Sequence, residues 1–190
     1  ELILKGEFEP TNEAFAIAKV AVIKLCEYIS LENESNLYKS VISCNLYGKF
    51  DKFDKANSHM VPSVIKKISE AKEQKKKSVD IWGDGFAKRE FMYAGDFADF
   101  IYYSIDNFDR MPQLINVGLG HDYSINEYYE KIAEVLNFKG EFAHDLSKPI
   151  GMKRKLLDDS KLKQFGWHYK TSLIDGIRET YEYYINEVGS

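Results

Sequence analysis

β-rich apolar segments alternate with helical segments along the whole chain, and this alternation restricts the fold more than any other feature. We predict strands over Lys39–Asn45, Val79–Trp82 and Leu114–Val117, with another short strand at Phe142–His144. Each is followed by a stretch with helical spacing of its apolar residues or by a polar turn. Because strands that alternate with helices are joined by crossovers, we expect an α/β fold with at least partly parallel pairing. The apolar Lys39–Asn45 run is expected to be buried on both faces.

The helical segments have recognisable starts. Thr11 or Asn12 is expected to cap a first helix that runs to about Ser30, and Ser124 with Glu127 forms a capping box for a later one. An apolar stripe on the first helix comprises Phe15, Ala18, Val22, Leu25, Cys26 and Ile29. Other helices are predicted over Met60–Gln74, Ala94–Asn107 and Ser172–Val188.

Composition argues against several classes of function. The net charge of −4 does not favour a nucleic-acid partner. No apolar run approaches the roughly 20 residues that span a bilayer, and no secretory segment is present, so no membrane partner is expected. Cys26 and Cys44 lie in apolar surroundings outside any Cys/His cluster. They are predicted to be reduced, buried thiols of a cytoplasmic protein, and no metal site is expected.

One glycine pair imitates a dinucleotide-binding motif. Gly118-Leu-Gly120 follows a predicted strand and precedes a helix, as the GxGxxG motif does. The third glycine would fall at position 123, which is Tyr123, so this segment is predicted to be a turn.

Several residues could carry chemistry, and each has a simpler interpretation when taken alone. Phe15 and Lys19 are four apart and so share one helical face, as a core phenylalanine beside a surface lysine also would. His59 lies in a polar loop and could be a surface histidine or a proton carrier. Three cations could bind phosphate or could be solvated surface charges: Lys67, Arg89 and Lys148. Trp82 could be an exposed residue or a core residue.

Short motifs in a fixed order then suggest a family. The segments are Pro10–Glu13, Phe15–Lys19, Asn45–Gly48, Asn57–Pro62, Trp82–Gly85 with Arg89–Phe91, Asn116–Gly120, Ser147–Pro149 and Arg154–Asp158. In these segments the chain resembles the GDP-L-fucose synthase family of extended short-chain dehydrogenases/reductases. Phe15 stands where that family has a catalytic tyrosine in Tyr-x-x-x-Lys.

The resemblance implies a role for each candidate. Lys19 would bind the nicotinamide ribose, and in the family it lowers the pKa of the tyrosine that Phe15 replaces. His59 would form an acid/base pair with a cysteine upstream of Glu1. Asn45 and Leu46, together with Lys19 and His59, would contact NADP(H). The GDP-sugar would be held by Arg89, Trp82, Lys148 and Lys67, the last standing where the family tends to have arginine.

The resemblance also implies an organisation. Residues 1–58 would end a Rossmann-type NAD(P)-binding domain that carries the (Tyr/Phe)-x-x-x-Lys helix. Residues 59–190 would form mainly a smaller α/β GDP-sugar-binding lobe, with some segments returning to the Rossmann sheet. The glycine-rich loop and the catalytic serine would lie upstream of Glu1.

Three functions agree with this resemblance. The first is an NADP-dependent epimerase/reductase of a GDP-4-keto-6-deoxy-sugar, acting in the cytoplasm as a homodimer. The second is a C4-reductase alone, on a related GDP-deoxy-hexose or heptose. The third is a non-catalytic sugar-nucleotide-binding or dimerisation module, because Phe15 has no proton to donate.

Overall fold

A computed structural model describes residues 8, 13–33, 37–54, 58–148 and 150–188. The predicted cap residues Thr11 and Asn12, and the motif residues Pro10, Asn57 and Pro149, lie outside the described residues. The remaining candidate residues are all described.

Six α-helices and nine short strands make up the described chain, together with a 3-10 turn at Phe108–Arg110 and a π-helical turn at Tyr184–Val188. In order they are α1 (Glu13–Glu32), β1 (Ser40–Ser43), β2 (Asn45–Tyr47), α2 (Met60–Glu73), β3 (Ser78–Trp82), β4 (Lys88–Arg89), β5 (Phe91–Tyr93), α3 (Ala94–Asp106), β6 (Leu114–Val117), β7 (Tyr123–Ser124), α4 (Ile125–Leu136), β8 (Glu141–Asp145), β9 (Arg154–Lys155), α5 (Ser160–Phe165) and α6 (Leu173–Tyr183). Among the described helices, each is too short or too polar to cross a bilayer.

Strand pairing is predominantly parallel, which confirms the α/β prediction. β1 pairs with β6, β2 with β5, and β3 with β8, all in parallel. A small sheet of two-residue strands has β4 between antiparallel β7 and parallel β9. The sequence pattern did not predict this small sheet, because two residues are too few to show a strand period.

The predicted strand Lys39–Asn45 is divided in two, and its expected burial was wrong. Its first part, β1, pairs with β6, and after Cys44 the chain continues as β2 beside β5. All four residues of β1 are half-buried. In the described part of the chain β1 has one strand neighbour, so the coverage that encloses a central strand is incomplete.

Two apolar clusters form the core. The larger lies among α2, α4, α6 and strands β3 and β5, where Ile65, Tyr128 and Ile177 are fully buried. The smaller joins the β5–α3 region to β6 and α5 through Met92, Phe100, Ile115, Phe165 and Trp167. These clusters fix the strand ends from which the candidate residues project.

α1 differs from the other helices because none of its residues is buried. Phe15, Val22 and Leu25, three members of its predicted stripe, are all exposed. Cys26 is only half-buried, so the prediction that both thiols are buried was wrong for this one. Cys44 is buried, and burial raises the pKa of its thiol to about 12.

Candidate functional site

Trp82, Lys67 and Lys148 form a cationic aromatic cluster at the end of β3. The Trp82 side chain is 62% exposed, which excludes the core interpretation of this residue. The Lys67 Nζ lies 5.9 Å from the Trp82 ring centroid and the Lys148 Nζ lies 5.5 Å from it. Two ammonium groups beside one accessible ring suit an anionic ligand that carries a planar base.

A carboxylate restrains one of these cations. The Lys67 Nζ donates to the Asp80 carbonyl at 2.9 Å and to its Oδ2 at 3.0 Å. Desolvation is the largest single influence and acts against ionisation of Asp80. The hydrogen bond and the charge of Lys67, with further hydrogen bonds to the carboxylate, together outweigh it, so the pKa of Asp80 is lowered. Lys67 is therefore held in place with part of its charge compensated. The sequence did not indicate this pair, because Asp80 lies on β3 and Lys67 on α2.

Arg89 lies on β4 with its side chain half-buried. Its Nη1 donates to the Lys88 carbonyl at 2.8 Å, and the Tyr128 hydroxyl donates to the Arg89 carbonyl at 3.1 Å. Burial lowers the pKa of the guanidinium, which remains far above neutrality. A Cβ added to Gly151 would lie 3.6 Å from the Arg89 Nη2, so the loop after β8 approaches this side chain.

Glu90, next to Arg89, is a buried carboxylate that joins three chain segments. Its Oε1 accepts from the amides of Leu119 and Gly120, and its Oε2 accepts from the Leu157 amide at 3.0 Å. These hydrogen bonds fix the turn after β6, as predicted for the Gly118–Gly120 segment, where Gly120 has φ +72°. Glu90 lies within the Arg89–Phe91 motif, but no role was predicted for it from the sequence. The available signal was a charged residue between two short strand segments.

Asn45 and Leu46 occupy the start of β2. The Asn45 Nδ2 donates to the Glu90 carbonyl at 3.1 Å and so connects β2 to the segment after Arg89. Leu46 is half-buried and packs against the smaller core cluster. The two side chains therefore lie on opposite faces of the strand, as successive strand residues do.

Phe15 and Lys19 contact each other on α1, as their spacing predicts. The Lys19 Nζ lies 5.2 Å from the Phe15 ring centroid, and the Phe15 side chain is 66% exposed. A hydroxyl added to this ring would lie near an ammonium group, which is the arrangement that lowers a tyrosine pKa. The ring itself has no proton to transfer.

His59 precedes α2 as its N-cap residue, and its imidazole is 74% exposed. The His59 Nδ1 lies 3.5 Å from Oδ1 of Asp51, whose side chain is only 14% exposed. Sequence reasoning missed Asp51. The signal available was a carboxylate in the same polar loop, but spacing within a loop does not specify contact.

The structure thus groups the candidates into separate contacts. Lys67, Trp82 and Lys148 form one cluster. Asn45 is tied to the Glu90 segment that also carries Arg89. His59 pairs with Asp51, and Phe15 pairs with Lys19.

Comparison with known proteins identifies the family. Residues 1–118 match the NAD dependent epimerase/dehydratase family. The chain belongs to that family. Within it, the chain is 58% identical over 187 residues to a GDP-L-colitose synthase from Yersinia pseudotuberculosis, covering 98% of this chain and 61% of that protein. A GDP-L-fucose synthase from Azorhizobium caulinodans is 48% identical over 188 residues, covering 98% of this chain and 60% of that protein.

Two solved structures of GDP-sugar enzymes have the same architecture as this chain. A GDP-6-OMe-4-keto-L-xylo-heptose reductase from C. jejuni superposes with a TM-score of 0.84 at 30% identity, covering 95% of this chain and 63% of that one. A GDP-L-fucose synthetase from Naegleria fowleri bound to NADP superposes with a TM-score of 0.86 at 24% identity, over 98% of this chain and 60% of that one. This confirms the predicted Rossmann-type extended short-chain dehydrogenase/reductase fold. The chain spans about three fifths of the length of the curated relatives it matches.

Proposed function

We propose that this chain is the catalytic-helix and substrate-binding part of an NADP-dependent epimerase/reductase. Its substrate would be a GDP-4-keto-6-deoxy-sugar, and its product would be GDP-L-colitose, GDP-L-fucose or a close analogue. The geometric observation that carries the proposal is the exposed Trp82 ring with two ammonium groups beside it. Relatives named GDP-L-colitose synthase and GDP-L-fucose synthase match nearly the whole chain, which supports the same substrate class.

The nucleotide end of the substrate is assigned to the cluster at the end of β3. Trp82 would stack on the guanine, and Lys67 and Lys148 would neutralise the diphosphate. Arg89 would add a planar donor pair, which matches phosphate oxygens bidentately. Lys67 offers a point charge in place of such a pair and remains bonded to Asp80.

The sugar end would undergo proton transfer beside the 4-keto group. The carbonyl acidifies the adjacent C–H bonds, so a base can remove a proton and an acid can return it to the opposite face. His59 is assigned to this exchange, because imidazole both accepts and donates protons near neutrality. The partner acid or base would come from the upstream part of the protein.

The residues of α1 fit a dinucleotide ribose. The Lys19 ammonium is exposed above the Phe15 ring and supplies donors of the kind that bind ribose hydroxyls. Asn45, Leu46 and His59 would hold the nicotinamide side of the site. NADPH, when bound, would supply the hydride for C4. Residues 1–58 would thus complete a nucleotide-binding domain whose glycine-rich loop would lie upstream, and residues 59–190 would bind mainly the GDP-sugar.

Phe15 gives the main test. Full-length protein should oxidise NADPH slowly in the presence of GDP-4-keto-6-deoxy-D-mannose, and Phe15→Tyr should raise the rate by roughly 100- to 10,000-fold. Phe108→Tyr, outside the candidate site, is the matched control and should leave the rate unchanged. The absence of NADPH oxidation by both the wild type and Phe15→Tyr would refute the proposal.

A second measurement tests the nucleotide cluster. Lys148→Ala and Trp82→Ala should each weaken GDP binding about 10-fold in calorimetry, because each removes a direct ligand contact. Lys163→Ala is the control, since that lysine pairs with Asp159 on α5. Equal affinities for all three variants would exclude this cluster as the GDP site.

A C4-reductase that lacks epimerisation is the nearest alternative. The similarity to a GDP-6-OMe-4-keto-L-xylo-heptose reductase favours it. Deuterium wash-in from heavy water at the carbons flanking the carbonyl separates the two activities. NADPH oxidation without any wash-in would select the reductase.

A non-catalytic binding or dimerisation module is the candidate from another class. Phe15 and the exposed apolar face of α1 favour it. The same face supports a homodimer for the enzyme too. Sedimentation should show a dimer that Leu25→Asp dissociates, whereas Tyr102→Asp on the exposed face of α3 should not. GDP binding without NADPH binding by full-length protein would favour the module.

A further inference from the structure

The loop before α2 presents a carboxylate to His59. The Asp51 Oδ1 lies 3.5 Å from the His59 Nδ1 and also accepts a hydrogen bond from the Lys52 amide at 2.8 Å. The carboxylate is largely shielded from solvent, whereas the imidazole is mostly exposed. An anchored acceptor therefore faces a ring that would otherwise rotate freely.

The turn that carries Asp51 is fastened to α6 on one side and to the π-helical turn after α6 on the other. The Lys49 Nζ lies 3.0 Å from the Glu179 Oε2. Phe53 is buried, with its ring centroid 4.9 Å from that of Tyr184. Asp51 lies between these two anchors, so its position is set by the larger core cluster and not by the loop alone.

Phe50 adds a second sign that this turn is held in one conformation. It has φ +67°, in the left-handed region that a bulky side chain rarely adopts. Its ring packs edge-on against Tyr183 with centroids 5.1 Å apart. Backbone conformations of this kind persist where the surroundings impose them, and they concentrate at functional sites.

We propose that Asp51 is a positioning residue for His59. Its carboxylate accepts the Nδ1–H, which fixes the ring orientation and selects the Nδ1–H tautomer. Nε2 is then the nitrogen that takes up and returns the substrate proton. Which imidazole nitrogen carries the proton depends on the hydrogen bond made by the other one. The 3.5 Å separation is long for a hydrogen bond, and contacts of this kind shorten when substrate binds.

A purely structural role for Asp51 is the competing explanation. Its bond to the Lys52 amide is a local turn contact that needs no histidine. The two roles differ in what happens to the imidazole. Loss of a turn contact would change the free energy of unfolding, whereas loss of a positioning contact would change the His59 tautomer.

The first experiment measures that tautomer by ¹⁵N NMR of the histidine side chains in full-length protein, at a pH where the imidazole is neutral. His59→Gln assigns the signal, because it removes the His59 resonance from the spectrum. Wild type should show the Nδ1–H form, and Asp51→Ala should shift His59 toward the Nε2–H form. Asp51→Asn retains an acceptor oxygen and should restore the wild-type signal. An unchanged tautomer in Asp51→Ala would overturn the inference.

The second experiment measures catalysis and rests on the proposed function. In Asp51→Ala, the kcat for deuterium wash-in at the carbons beside the carbonyl should fall about 10- to 100-fold. The KM for the GDP-sugar should be unchanged. Asp106→Ala, an exposed aspartate at the end of α3, is the matched control. A tautomer shift with wash-in unchanged would overturn the positioning role. No wash-in by the wild type would refute epimerisation, and the NMR result would then decide the inference alone.

Discussion

α1 and α2 both carry apolar residues at helical spacing, yet only α2 buries its apolar face. Val61, Val64, Ile65 and Ile68 of α2 lie in the larger core cluster. No residue of α1 is buried, and Leu31 on its last turn is largely exposed. The difference shows that hydrophobic periodicity predicts a face that needs covering but does not identify what covers it. The apolar face of α2 is covered by the rest of the larger core cluster, whereas none of the described residues buries the apolar face of α1.

The largest effect is expected at Glu90, the most completely buried charge among the described residues, whereas α1 has no buried residue. Glu90→Ala would leave three part-buried amides without their acceptor, and should lower the free energy of unfolding by about 4 kcal/mol. Glu90→Gln keeps one carbonyl oxygen and should lose about half as much. Urea denaturation of the 190-residue chain measures both. A loss below about 1 kcal/mol for Glu90→Ala would contradict the role of this carboxylate in joining three segments.

A matched pair of valines tests the helix comparison directly. Val64→Ala on α2 removes two fully buried methyl groups and should lower the free energy of unfolding by about 2 kcal/mol. Val22→Ala on α1 removes the same groups from an exposed side chain and should change it by about 0.5 kcal/mol or less. Equal losses in urea denaturation would mean that α1 is covered within this chain.

Helix caps give a smaller effect. Ser124 accepts from the Glu127 amide while Glu127 bonds back to the Ser124 amide, and Ser172 caps α6 with one such bond to Asp175. Ser124→Ala should cost about 1 kcal/mol, and Ser172→Ala should cost slightly less. Thermal unfolding of the two variants measures the difference. A larger loss of stability for Ser172→Ala than for Ser124→Ala would contradict the expectation that the reciprocal cap of α4 is the more stabilising one.

The smallest effect concerns acid stability near the Asp51 turn. The hydrogen bond from the Tyr93 hydroxyl, followed by that from Lys49, holds the pKa of Glu179 below its usual 4.5. The unfolded chain therefore takes up this proton first as pH falls, so the stabilisation is present above pH 4.5 and is lost below it. Glu179→Gln should make the acid side of the stability profile shallower. An unchanged profile in urea titrations above and below that pH would refute this account.

Local signals in the sequence predicted much of the fold. The strand Leu114–Val117 and the capping box of α4 have the predicted bounds, because each depends on residues within one segment. The break at Cys44 was not predictable in the same way. It arises because β1 and β2 pair with different strands, and the sequence of neither segment indicates which strand it pairs with.

The candidate site was predictable in its residues and less so in its contacts. Lys67, Trp82 and Lys148 were selected individually, and the structure brings them together. The ion pair of Lys67 with Asp80, and the approach of Asp51 to His59, join residues from different elements or from an irregular loop. Such contacts depend on how elements pack against each other, and the spacing of apolar residues within one element does not indicate that packing.

The parallel pairings have a consequence for how fast this chain folds. Ser40 pairs with Leu114, and Ser78 pairs with Glu141, so each sheet forms only after a long intervening segment has been closed into a loop. Closing such a loop lowers the conformational entropy of the chain, and this cost comes before any hydrogen bond between the paired strands compensates for it. Folding is therefore expected on the order of milliseconds to seconds. During that interval the unpaired strand edges and the apolar face of α1 are open to other molecules, so refolding yield should fall as protein concentration rises.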